Sequence, residues 1–186
     1  YILRAESPGP QVGKLVSKLK LTARILYGIY LGLTLVEFIL LTAGGMPVFD
    51  SLLNSFSTAG TGGFGIKTES IAYYDSAYAD IVIGVFMTLF GINFNVFYLL
   101  LAGGAAQAFR CQEARWYLGI IGVSTALIAA DIFHLYGTVG KSLRYAFFQV
   151  SSIITTTGFA TADFDKWPLF SKVILVCLMF CGACAG

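Results

Sequence analysis

The chain has 186 residues, 57% hydrophobic and 12% charged, with a formal net charge of +2, and its mean hydropathy is +0.78. Soluble domains carry about 25% charged residues, so a free-standing soluble domain is disfavoured. The scattered Lys and Arg leave no basic stripe to neutralise a run of phosphates, which argues against nucleic-acid binding.

Residues 1–22 are polar and basic and read as a cytoplasmic lead-in without a signal peptide; lacking an initiator Met, the sequence is expected to be an excerpt of a longer chain. Ala23 to Leu41 predicts a first transmembrane helix, since at about 1.5 Å per residue it nearly crosses a hydrocarbon core of about 30 Å. Val48 to Phe64 is moderately apolar, rich in Ser and Thr, and ends in Gly-Phe. It is too polar to span and predicts a re-entrant segment: a short helix dips in and irregular backbone returns where protein or a water-filled cavity satisfies it. Ala77 to Gly103 predicts a second spanning helix, residues 105–116 a cytoplasmic linker, and Trp116 to Tyr136 a third span. Leu143 to Phe159 repeats the re-entrant pattern, and Pro168 to Gly186 begins a fourth helix that the end of the sequence cuts off.

Sixteen Phe, ten Tyr and 21 Gly against four Pro fit membrane helices with close approaches and aromatic rims. Arg4, Lys14, Lys18, Lys20, Arg24, Arg110 and Arg115 flank one side, opposed by Glu6 and Glu113 alone, so by the positive-inside rule that side is cytoplasmic. Asp50, Glu69, Asp75, Asp80, Asp163 and Asp165 then make the outer side modestly attractive to cations.

Shifting the chain by 95 residues lays Ala23–Leu41 over Leu118–Tyr136, Asn54-Ser55-Phe56 over Gln149-Val150-Ser151, Gly63-Phe64 over Gly158-Phe159, and Gly91 over Gly186, without a gap. The repeat is one of pattern more than of identity, and its unit is helix, pore loop, helix. The units occupy 23–104 and 117–186, the second truncated in its last helix by about ten residues. Two crossings per unit make successive units parallel, unlike the inverted repeats of many secondary transporters. The expected fold class is therefore all-α integral membrane, with tandem parallel repeats of a potassium-channel-like pore, half a ring that further units must complete.

A permeating potassium ion must exchange its hydration shell for oxygens, and a ring of backbone carbonyls supplies them where side chains do not crowd the axis. Thr61-Gly62-Gly63-Phe64-Gly65 and Thr155-Thr156-Thr157-Gly158-Phe159 fit this: a hydroxyl-bearing or small approach, a Gly able to take positive φ, then an aromatic to anchor the loop. The helix before each loop would turn its partly negative end toward the cavity, favouring a cation. The bland alternative is that Gly, Ser and Thr only let helices pack closely; two such loops at matching positions of a repeat favour a filter. A phosphate-binding reading of Gly60-Thr61-Gly62-Gly63 fails because no lysine and helix follow at the required spacing.

Across essentially its whole length the chain resembles the membrane subunit of Trk/Ktr-type potassium uptake systems, closer to the TrkH branch. The resemblance rests on Glu6-Ser7-Pro8-Gly9-Pro10, Ser55-Phe56-Ser57-Thr58 with Gly62-Gly63-Phe64, and Ser70-Ile71-Ala72-Tyr73-Tyr74-Asp75-Ser76. It continues in Phe147-Phe148-Gln149-Val150, Thr156-Thr157-Gly158-Phe159, Trp167-Pro168-Leu169-Phe170 and Cys184-Ala185-Gly186. It implies a four-unit pore in one bacterial inner-membrane polypeptide, this chain resembling the second and third units. It further implies that Thr61, Gly62, Gly63, Thr156, Thr157 and Gly158 line potassium sites, with Phe64 and Phe159 as filter support. The stretch from Gly182 to Gly186 resembles the start of a Gly-rich gating loop, with Ala183 where Gly is expected. A homodimer, a cytosolic nucleotide-binding regulatory subunit, lipid contact and no covalently held cofactor are implied as well.

Glu37 and Asp131 lie late in the first helices of the two units, one position apart in the overlay, and read either as a cation-concentrating vestibule or as snorkelling or locally bonded side chains. Asn93 and Asn95 would line the cavity or bond a neighbouring helix. Cys177, Cys181 and Cys184 share a helical face without a fourth metal ligand nearby, Cys111 stands alone, and all four read as free thiols. His134 has no Ser nucleophile motif to serve, so no enzyme is expected. The rival readings are a non-conducting membrane scaffold, a pore passing both sodium and potassium, and a solute carrier with a midplane site.

Overall fold

A computed structural model describes residues 19–101 and 111–182, and every regular element among them is helical. The first helix, α1 (Leu19–Ala43), contains no proline and has an inverted polarity. Thr34, Glu37 and Leu41 are buried along one stripe, whereas Tyr27, Leu31, Leu35 and Ile39, spaced by four, are exposed along a neighbouring one. A helix in water would hide that second stripe; against hydrocarbon it needs no cover. By length and composition Ala23–Ala43 is the one described helix able to cross a membrane, while Ala77–Phe90 and Leu169–Cys181 are apolar but shorter.

Gly45, at φ +91, turns the chain out of α1, and Pro47 starts α2 (Val48–Ala59). This helix is inverted too: Ser51, Asn54, Ser55 and Thr58 are buried, Val48, Phe49, Leu52 and Phe56 exposed. The buried hydroxyls bond within the helix, Ser55 Oγ donating to the Ser51 carbonyl at 2.7 Å and Thr58 Oγ1 to the Asn54 carbonyl at 2.8 Å, so they enter the interior already satisfied. An extended return and a 3₁₀ turn (Ser70–Tyr74) lead to α3 (Ala77–Phe90), whose N-cap Ser76 accepts from the Ala79 N–H at 3.3 Å.

The second span expected from hydropathy is not one helix. It breaks at 91–93 and resumes as α4 (Phe94–Leu101). The ladder tightens there: Gly91 N–H bonds the Met87 carbonyl, but Ile92 N–H bonds the Leu89 carbonyl at 3.1 Å, and the Asn93 carbonyl receives Val96 N–H at 2.9 Å. Glycine at 91 makes room for Tyr117 and Thr155: a Cβ there would run into the Tyr117 hydroxyl and come within 2.9 Å of Thr155 Cγ2, so those side chains would have to shift.

The third expected span is also divided. The helix α5 (Gln112–Asp131) starts inside the stretch read as linker, as α1 starts inside the lead-in, and buried Ile132 separates it from the single turn α6 (Phe133–Tyr136). The helix α7 (Val139–Ile154) begins four residues ahead of the expected re-entrant segment, and a 3₁₀ turn (Phe164–Lys166) precedes α8 (Leu169–Cys181).

Within the first half α1 packs on α2, α3 and α4; within the second, α7 packs on α5 and α8. The halves join through α3 and α7. Leu41, Met46, Ile71, Ile83 and Met87 of the first half share an apolar cluster with Phe148 and Phe159 of the second. At the end of that seam where α3 and α7 begin, the Arg144 guanidinium meets the Asp80 carboxylate at 3.3 Å, both side chains largely buried. Midway, Thr88 Oγ1 and Ser151 Oγ lie 3.1 Å apart, and the Tyr117 hydroxyl donates to the Thr88 carbonyl at 3.2 Å.

Candidate functional site

The two Ser- and Thr-rich helices end in the same bonding pattern. After α2, Gly60, Thr61 and Gly62 N–H groups donate to the carbonyls of Phe56, Thr58 and Ser57. After α7, Thr155, Thr156 and Thr157 donate to Ser151, Ile153 and Ser152. Donor for donor and acceptor for acceptor, the two sets are 95 residues apart. The dihedrals agree as well: Thr61 (φ +48) matches Thr156 (φ +57), Gly63 (φ +65) matches Gly158 (φ +88), and the residue between each pair has no positive φ. A left-handed β-branched residue is a rare conformation, costing about 1–2 kcal/mol, and such strain gathers at functional sites.

The loops also touch. A Cβ on Gly63 would collide with the Thr157 carbonyl oxygen and lie 3.0 Å from the Gly158 carbonyl carbon, so a side chain there is barred by backbone as well as by φ. Gly158 has open space around its Cα and is exposed, as is Thr156, while Thr155, Thr157 and Phe159 are buried. Thr155 Oγ1 donates to the Ser151 carbonyl at 2.7 Å and lies 2.8 Å from Thr157 Oγ1, so hydroxyls brace the second loop from behind.

The aromatic supports differ. Phe159 is fully buried, and its carbonyl accepts from Ser152 Oγ at 2.6 Å. Phe64 is 82% exposed, and its equivalent serine, Ser57, has a buried Oγ without a partner among the described residues. The two aromatics that follow the loop glycines are thus placed differently, Phe159 enclosed and Phe64 exposed. Below the second loop α8 stops at Cys181, and Gly182 leaves it in an extended conformation, ψ +130. A Cβ on Gly182 would lie 2.6 Å from the Ile154 carbonyl oxygen at the end of α7, a close approach open to glycine. Gly186 and Cys184 lie outside the described residues.

Glu37 is neither in an outer vestibule nor snorkelling: it is wholly buried close to Thr58, and among the described residues neither carboxyl oxygen makes a hydrogen bond of good geometry. Asp131 is bonded locally, its Oδ2 accepting from Ser171 Oγ at 2.6 Å and from Ser171 N–H at 3.2 Å in the first turn of α8, where a carboxylate suits the helix dipole. Near the start of α2 Asp50 accepts from the Tyr74 hydroxyl at 2.6 Å; partial burial, with the Asp50 bond and charge adding to it, pushes the phenol up to about 12. Lys166, 3.1 Å from exposed Asp163, holds that carboxyl below its ordinary range. Cys177, Cys181 and His134 are exposed.

The family profile described as TrkH, cation transport protein, matches residues 2–130 and 131–186. The Trk system potassium uptake protein TrkH of Salmonella typhimurium is 36% identical over the full chain, and TrkG of Escherichia coli K12 is 31% identical, also over the full chain. The chain spans 39% of the length of each of these relatives, which are transport proteins and not enzymes. The crystal structure of the potassium transporter TrkH from Vibrio parahaemolyticus superposes with a TM-score of 0.85 at 31% identity, over 94% of this chain and 38% of that one. With the profile covering all but the first residue, and with fold and sequence in agreement, the chain belongs to the TrkH family of cation transport proteins.

Proposed function

We propose that this chain forms two parallel loop-bearing repeats, 23–104 and 117–186, of a potassium uptake pore in the bacterial inner membrane. In this reading Thr61, Gly62 and Gly63, with Thr156, Thr157 and Gly158, present backbone carbonyls to the ion. The observation that carries it is the pair of left-handed threonines, Thr61 and Thr156, each followed two residues on by a left-handed glycine. A packing role for Gly, Ser and Thr gives no reason for β-branched residues to hold that strained conformation twice. The relatives' names supply potassium as the ion. Uptake would draw on the membrane potential, about 2.3 kcal/mol per elementary charge per 100 mV. The family resemblance adds a homodimer served by a cytosolic nucleotide-binding subunit, with the segment from Gly182 as the start of a gate.

The test is rubidium and sodium flux into vesicles holding the full-length protein, wild type against Gly158→Ser. Gly158 suits the experiment because a Cβ there meets no neighbouring atom, leaving strained φ and an intruding hydroxyl as the perturbation. Selective rubidium flux in the wild type, with sodium admitted by the variant, supports the filter. Equal and negligible flux in both, from folded protein, would leave a helix scaffold.

A further inference from the structure

The segment between the first loop and α3 is held in a shape that ordinary residues avoid. Ser70 takes φ +55 and Asp75 φ +39, at the two ends of the 3₁₀ turn. The Ser70 N–H closes a local turn on the Lys67 carbonyl at 3.0 Å, but its hydroxyl reaches into the other repeat and accepts the Ala160 N–H at 3.3 Å. Two residues on, the Ala72 N–H donates to the Ala160 carbonyl at 3.2 Å. Both backbone polar groups of Ala160 are thus engaged by residues 70–72, some 90 positions away in the chain. Ile71 between them is buried in the apolar cluster that holds Phe159. Ala160 follows Phe159 and stands two residues beyond Gly158, so whatever fixes Ala160 fixes the outer end of the second loop. The strained φ at Ser70 is what aims its hydroxyl across the gap.

We propose that Ser70 is a positioning residue for the second loop: its hydroxyl, with the Ala72 N–H, clamps the Ala160 backbone and sets where the Thr156–Gly158 carbonyls stand. Its effect on selectivity rests on reading that loop as a filter; the clamp itself does not. Two substitutions separate the hydroxyl from the backbone. Ser70→Ala removes the hydroxyl and keeps the left-handed strain, whereas Ser70→Gly removes the hydroxyl and relieves that strain.

In the full-length protein both variants are expected to lower the rubidium-to-sodium flux ratio alike, roughly two- to tenfold, the equilibrium worth of one net hydrogen bond. Both should also speed amide hydrogen exchange at Ala160, which a role confined to the 70–74 turn would not move. Unchanged exchange at Ala160 in both variants overturns the clamp. So does wild-type behaviour in Ser70→Gly alone, which would assign the effect to strain. Faster exchange in both variants, together with a wild-type protein that does not discriminate the two ions, would keep the clamp and sink the filter reading.

Discussion

Gly63→Ala tests the contact between the loops, with Gly158→Ala as its control. Both glycines are left-handed, so alanine at either pays a conformational penalty of about 1–2 kcal/mol. At Gly158 that is all, since nothing lies near the new Cβ. At Gly63 the Cβ must also displace the Thr157 carbonyl, which is backbone and cannot swing aside, adding an overpacking strain of about 1–3 kcal/mol. Gly63→Ala is therefore expected to be the more destabilising by that second amount and, because the strain falls on the second loop, to disturb both loops at once. On the proposed filter reading that strain falls on the ion sites, so Gly63→Ala should also lower rubidium preference over sodium further than Gly158→Ala does. The assay is paired: denaturation midpoints of the full-length protein in detergent, and rubidium and sodium flux in vesicles. Equal midpoints and equal selectivity for the two variants would refute the reasoning, because they would show that the loops do not press on each other.

Removing the Arg144 guanidinium with Arg144→Met strands the buried Asp80 carboxylate and is expected to destabilise the full-length protein by about 3–5 kcal/mol; adding Asp80→Asn should recover most of the loss, and failure to recover would deny the coupling. Glu37 is enclosed by helices that bring no basic residue to it: α2 contributes Asp50, α3 contributes Asp80, and α4 has no charged residue. Glu37→Gln, a neutral side chain of the same shape, should keep the wild-type midpoint or raise it, whereas Glu37→Ala should lower it by about 2–5 kcal/mol through the void it leaves, and indistinguishable midpoints would contradict the burial. The tie from Tyr74 to Asp50 needs the phenol protonated, and the folded pKa of about 12 lies above the ordinary value of 10.0. Its stabilisation is thus complete below pH about 10 and lost as pH rises toward about 12, so the midpoint of the wild type should fall more steeply than that of Tyr74→Phe across this window. Parallel curves would dismiss the tie.

The register of the two loops was legible because Gly-Phe recurs after a Ser- and Thr-rich helix, and glycine announces the positive φ that Gly63 and Gly158 adopt. Thr61 and Thr156 announced nothing of the kind. Their intrinsic preference opposes the left-handed region, and a pattern reading has no term for strain imposed by the surrounding fold. Hydropathy also ran straight through Gly91 and Ile132, since a helix break changes bonding partners without changing how apolar the residues are. The cue at 91 was local, a Gly two residues ahead of an Asn, and what enforces it is Tyr117, 26 positions further along. Glu37 was misplaced because a hydropathy window averages over all sides of a helix, whereas the fate of one carboxylate depends on which side it occupies. Ser70 lay within a stretch that supported the family resemblance, yet no sequence rule says that its hydroxyl reaches across to Ala160.

The shared bonding pattern at the ends of α2 and α7 uses backbone groups alone, while the side chains around it differ: serine bonds a carbonyl behind one loop and stands unpartnered behind the other. Each loop is therefore free to drift in sequence under a constant scaffold. Where a ring is assembled from identical subunits, one codon changes every loop together, and a mutation is magnified by the symmetry. Here one codon reaches one loop. The two loops can then change in small steps, one at a time, and a residue damaging in one loop can be neutral at the equivalent place in its neighbour.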